Sequence, residues 1–152
     1  MTFFLQGTLE LLFDKGSTKK IYLHRGPPAK VPVPEYFWKV IIDTVSKQAV
    51  AFIGFNNPYL TKTELITRKR RMCKDVFHKL PKSLKFSGRT NIPNGYILCC
   101  EVNDKFRTIV NEFLDPTNYP ILKSIQLHHY NTLFKRFIKI THSKTKITSF
   151  II

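Results

Sequence analysis

The chain has 152 residues, 43% of them apolar and 13% aromatic, and its 25 Lys and Arg against 10 Asp and Glu give a net charge of +15. This length suits one domain, and the apolar content is enough to fill a core, which excludes wholesale disorder and a bare polycationic tail. The longest apolar runs, such as Val40 to Ile42 and Ala49 to Phe55, fall far short of the roughly 18 residues that span a bilayer, and Met1 to Phe13 lack the basic start of an export signal, so neither is expected here.

Thr8 to Phe13 and Lys19 to His24 flank Asp14-Lys15-Gly16-Ser17, a turn cluster whose glycine accepts positive φ, and this predicts a β-hairpin. Gly26-Pro27-Pro28 and Val31-Pro32-Val33-Pro34 predict a stiff extended connector, because each proline fixes its own φ and keeps its predecessor out of the helical region. Tyr36 to Asp43 and Gln48 to Phe55 are rich in β-branched and aromatic residues and are joined by Thr44 to Lys47, a second hairpin with buried strands. The four strands are expected to form one antiparallel sheet. Asn56-Asn57-Pro58-Tyr59 reads as a turn and the following residues as a basic loop. From Lys69 to Leu80, Met72, Val76 and Leu80 recur at helical spacing beside Cys73 and Phe77, which predicts a short helix ended by Pro81. After the Asn94-Gly95 turn, Tyr96 to Val102 is a short strand or helix start, and Phe106, Ile109, Val110 and Phe113 mark a helix that stops at Asp115-Pro116. The expected class is α+β, an antiparallel sheet of about four strands with short flanking helices. The sequence contains no internal repeat.

The charge is uneven. Residues 62–89 hold ten basic residues against Glu64 and Asp75, a surplus of eight, and residues 117–152 hold six with no acid, so these two segments carry 14 of the 15 net charges. Local cationic surfaces of this kind fit contact with a polyanion, with Arg68, Lys69, Arg70, Arg71 and Lys74 as the candidate nucleic-acid contacts, although a solvated basic loop gives the same pattern. In the last segment Ile121, Ile125, Leu133, Phe137 and Ile138 form a helical stripe among Lys135, Arg136 and Lys139. Residues 121–140 thus predict a basic amphipathic helix that packs on its own domain or docks on an anionic membrane or an acidic protein.

Little else in the sequence carries chemistry. Cys73, Cys99 and Cys100 are an odd number, and because Cys99 and Cys100 are neighbours that point in different directions, at most one of them pairs with Cys73. Neither a zinc spacing nor a phosphate-cradling glycine loop nor a nucleophile elbow occurs, and His128-His129 face apart on a helix. Metal-assisted phosphodiester hydrolysis needs a base, oxygen ligands for a hard cation and a positive charge near the leaving group. His24-Arg25-Gly26 and Asn56-Asn57 offer such groups, but no spacing unites them, and a strand-end histidine and a turn-forming asparagine pair are the simpler reading.

Several segments nonetheless follow one another in a specific order: Gly7-Thr8-Leu9, Val33-Pro34-Glu35-Tyr36-Phe37-Trp38-Lys39-Val40, Ala51-Phe52-Ile53-Gly54 with Asn56-Asn57-Pro58-Tyr59, Cys73-Lys74-Asp75-Val76, and Gly95-Tyr96 leading to Cys99-Cys100. In this the chain resembles the DNA/RNA non-specific endonucleases, the ββα-metal nucleases, and most of all the secreted kind found in arthropods. The resemblance implies that residues 7–116 correspond to the C-terminal part of such a domain, that 117–152 are a divergent basic segment, and that the location is extracellular. It also implies a Mg²⁺-dependent enzyme in which a histidine activates water and an asparagine holds the ion. That Asp-Arg-Gly-His motif lies upstream of the segment equivalent to Gly7 and occurs nowhere in this chain, where Leu23-His24-Arg25-Gly26 has another order. No catalytic residue and no metal ligand therefore carries over, this chain holds no cofactor of its own, and it is expected to be inactive alone while binding DNA or RNA without sequence preference. A second cysteine usual in the family is replaced by Phe77, which leaves one of the disulfides implied by the resemblance unformed.

Overall fold

The structure is a computed structural model that describes residues 2–11, 20–24, 30–92, 95–110 and 119–123. Strands β1 (Thr2–Leu11), β4 (Pro34–Asp43), β5 (Gln48–Phe55) and β6 (Tyr96–Cys100) form a four-stranded antiparallel sheet in the order β1-β4-β5-β6. The short strands β2 (Tyr22–His24) and β3 (Lys30–Pro32) make a separate antiparallel ribbon. With helices α1 (Lys62–Met72) and α2 (Asp104–Val110), the class is α+β, as the residue pattern predicts.

Sheet membership differs from expectation. The strand predicted from Thr8 begins at Thr2 and pairs with β4, not with the Lys19–His24 strand, whose described end pairs with Lys30–Pro32 instead. Pairing with β4 sets β1 against the most continuously apolar strand of the chain, whereas β2 has only the proline-bearing β3 to offer its edge to. Val33, between β3 and β4, donates its N–H to the Ile21 carbonyl at 2.9 Å and so ties the ribbon to the sheet. The Asp14–Ser17 turn and the Gly26-Pro27-Pro28 segment lie outside the described residues.

Both faces of the sheet are buried, which explains why β4 and β5 read as apolar runs without polar alternation. On one face Tyr36, Trp38, Val40, Ile53, Phe55, Leu98 and Cys100 pack beneath Leu65 and Met72 of α1 and Phe106 and Val110 of α2. On the other, Ile41, Val50, Phe52, Ile97 and Cys99 pack against Val76, Leu80 and Leu84. These last three belong to a segment with two 3₁₀ turns, Phe77–Lys79 and Lys82–Leu84. The helix predicted over Lys69–Leu80 therefore does not exist as one element: α1 ends at Met72, and Cys73 is extended. Met72 and Val76 share a helical stripe in sequence but serve opposite faces, because the chain rounds the β6 edge between them, with Val76 donating its N–H to the Cys99 carbonyl at 2.8 Å.

The start of α1 is a reciprocal cap. Thr61 Oγ1 accepts from the Glu64 N–H at 3.2 Å, and Glu64 Oε2 accepts from the Thr61 N–H at 2.8 Å. Beyond the end of β6, Ala49 of β5 donates to the Pro120 carbonyl at 2.9 Å and accepts from the Leu122 N–H at 3.2 Å, so residues 119–123 run extended along β5. Ile121, where the sequence pattern starts the amphipathic helix, thus sits in a β-bridge. The rest of that predicted helix, from residue 124, lies outside the described residues, as do Phe113, Asp115-Pro116 and the boundary between the two expected segments.

Candidate nucleic-acid interface

The run Arg68-Lys69-Arg70-Arg71 is not a loop but the last turns of α1, where the helix dipole favours positive charge. Winding it into a helix sends its four side chains in different directions. Arg68 points inward: its Nη1 donates to Glu35 Oε1 and, at 2.6 Å, to the Tyr36 hydroxyl. Glu35 is only 6% exposed and also accepts from Asn57 Nδ2 at 3.4 Å. Burial pushes the Tyr36 phenol above its usual range, and the Arg68 hydrogen bond opposes that shift. Arg68 is thus the counter-ion of a buried carboxylate.

Lys69 Nζ donates to the Tyr96 hydroxyl at 2.7 Å and stands 4.8 Å from that ring's centroid. Arg71 pairs with Glu10 of β1 at 2.8 Å, an exposed bridge that neutralises both groups. Arg70 and Lys74 are exposed and have no carboxylate partner among the described residues. Lys105 of α2 adds a third exposed cation there, its Nζ donating to the Arg70 carbonyl at 3.1 Å. Of the five residues singled out by sequence, the fold leaves Arg70 and Lys74 facing solvent together and commits Arg68, Lys69 and Arg71 to internal partners. Lys105 escapes a sequence reading because it lies 35 positions from Arg70 on a different helix.

The disulfide Cys73–Cys100 anchors this cationic end to β6. Cys99 points to the other face, buried and unbridged, and burial, with the Asp75 charge adding to it, holds its thiol far above the ordinary range. Asp75 itself is an organiser of the chain's passage round β6: Oδ1 accepts from the Phe77 and Cys99 N–H groups at 3.2 and 3.3 Å, and Oδ2 pairs with Arg89 at 2.7 Å. Arg89 also stacks 4.1 Å from the Phe77 ring, so it too has a structural post.

Hard cations such as Mg²⁺ want several oxygen donors converging on one point. Among the described residues no three His, Cys, Asp or Glu side chains do so. Glu35 and Asp75 are engaged by arginines, Asn56 Nδ2 donates to the Pro34 carbonyl at 3.0 Å, and Asn57 Oδ1 accepts from the Tyr59 N–H at 3.0 Å. The asparagine pair is a turn-builder here, and these residues do not fit a magnesium site. His24 ends β2, and its side chain lies outside the described residues.

No protein-family model matches the chain, and no solved structure matches it. A stretch of 72 residues, 47% of the chain, is 29% identical to Salivary protein Tsal2A of Glossina morsitans morsitans, of which it spans 17%. The likeness is to an arthropod salivary protein, in line with the arthropod form that the sequence motifs resemble.

Proposed function

We propose that the chain is the C-terminal part of a domain of the DNA/RNA non-specific endonuclease type and that, without a hydrolytic centre of its own, it binds DNA or RNA through the cationic end of α1. The observation that carries this reading is the group Arg70, Lys74 and Lys105, exposed cations with no carboxylate beside them, fixed to a buried sheet by Cys73–Cys100. Lysine and arginine on phosphates displace condensed counterions and read no bases, so binding is salt-sensitive and sequence-tolerant. The ordered motifs and the partial likeness to a salivary protein support the same assignment.

An electrophoretic shift assay with a DNA duplex at low and raised salt tests it. Affinity falls steeply with salt, and replacing Arg70, Lys74 and Lys105 together by Gln flattens the logarithmic salt slope by about 0.9 for each phosphate no longer neutralised. Binding indifferent to salt, or unaltered in the triple variant, overturns the reading.

A further inference from the structure

The two edges of the sheet are treated differently. Beside β6, Val76 donates to the Cys99 carbonyl and the Ile97 N–H donates to the Arg89 carbonyl, each at 2.8 Å, while Asp75 Oδ1 takes the Cys99 N–H. Residues 120–122 continue that cover along the start of β5. At β1, among the described residues, every backbone pairing is to β4, and the outer edge has none.

Proteins blunt an open edge with lysine, proline or a bulge, since a row of unpaired N–H and C=O groups templates another strand. Thr2–Leu9 has none of these: eight residues without a charge or a proline. The one irregularity comes afterwards, at Glu10, whose φ of 52° interrupts the register between Leu9↔Tyr36 and Leu11↔Pro34. The regular part of the edge is left intact.

We propose that two copies of the chain join antiparallel along β1, Thr2–Leu9 of one against Thr2–Leu9 of the other, merging their four-stranded sheets into one of eight strands. An antiparallel edge is its own complement under a two-fold axis perpendicular to the sheet. Such an axis keeps residues of one parity on one face, so Leu5, 39% exposed, meets Leu5, Gly7 or Leu9 of the second copy, and the exposed Gln6 and Thr8 meet polar or small neighbours. No charged side chain faces its like across the seam, because Thr2–Leu9 contains none and 14 of the 15 net charges lie in residues 62–89 and 117–152. An acidic or basic strand from another protein would find no counter-charge along Thr2–Leu9, which is why a second copy is the occupant.

Sedimentation equilibrium of the full chain over a wide concentration range tests this. The mass rises with concentration from 17.8 kDa towards twice that value. The double variant Gln6→Lys/Thr8→Lys, which lines the seam with ammonium groups, stays at the monomer mass, while Thr63→Lys on the exposed side of α1 associates as the parent does. A read-out that does not depend on the variant's folding is hydrogen exchange of the unaltered chain, in which amides of Thr2–Leu9 gain protection as concentration rises. A chain that is monomeric throughout, a dimer that survives the double lysine variant, or exchange at β1 that ignores concentration each overturns the proposal, as does association seen only when a foreign extended peptide is added.

Discussion

At the residue scale, Gly7 and Trp38 are register partners across β1 and β4, and the fit between them leaves no room for a side chain. A Cβ on Gly7 would lie 2.7 Å from the Trp38 ring, which is itself only 2% exposed and has nowhere to withdraw. Gly7→Ala is therefore expected to destabilise the fold by about 1–3 kcal/mol, measured as a lower midpoint of chemical denaturation. Removing Arg68 leaves the Glu35 carboxylate buried and unpaired. Arg68→Met is expected to cost about 2–3 kcal/mol, less than a fully buried pair would lose because the guanidinium keeps some water, and adding Glu35→Gln recovers much of the loss in a double-mutant cycle. Tyr36 adds a pH dependence: its folded pKa is raised above the ordinary 10.0 by burial, so its contribution is intact below pH 10 and is lost as pH rises through the folded value. Phenolate absorbance during alkaline titration should show one of the six tyrosines ionising only with unfolding, and that step should vanish in Tyr36→Phe. None of these pairings is legible in the sequence. Glu35 and Arg68 are 33 positions apart, and nothing in a run of four basic residues says which one turns inward.

At the scale of elements, the sequence is most informative where local chemistry decides the outcome. The Thr61-x-x-Glu64 signature marks the start of α1, and the stiff Val31–Pro34 connector is extended as its prolines require. Thr61→Ala should cost about 1 kcal/mol, read as a lower unfolding midpoint with an unchanged denaturant slope. Over Lys69–Leu80 the helical expectation fails because it rests on periodicity alone, which cannot distinguish one helix face from two apolar groups divided between the sides of a sheet. The first hairpin fails for a related reason: β1 pairs with a strand more than 25 residues away, and the preference of its residues for strand does not name the partner. Cys73–Cys100 closes a separation of 27 residues and holds α1 to β6, so Cys73→Ser is expected to lose on the order of 3–4 kcal/mol.

For the whole molecule, the net charge of +15 makes the folded state self-repelling as well as attractive to polyanions. Moderate salt should therefore raise the thermal midpoint of the isolated chain while weakening its hold on DNA, two opposite responses to one variable. The α+β class is legible from strand and helix patterns, and the charge surplus from counting. The cationic group at the end of α1 is only half legible, since Arg70 and Lys74 stand in the basic run but Lys105 joins them through packing.

Cys99 and Cys100 are adjacent in the chain yet belong to opposite sides of a sealed layer. For the native molecule this means that a would-be thief of the bridge is walled off from it by the sheet it helps to build. Alkylating reagents applied before denaturation should leave Cys99 untouched, and sulfur partners should be confused only while the polypeptide is being made or remade.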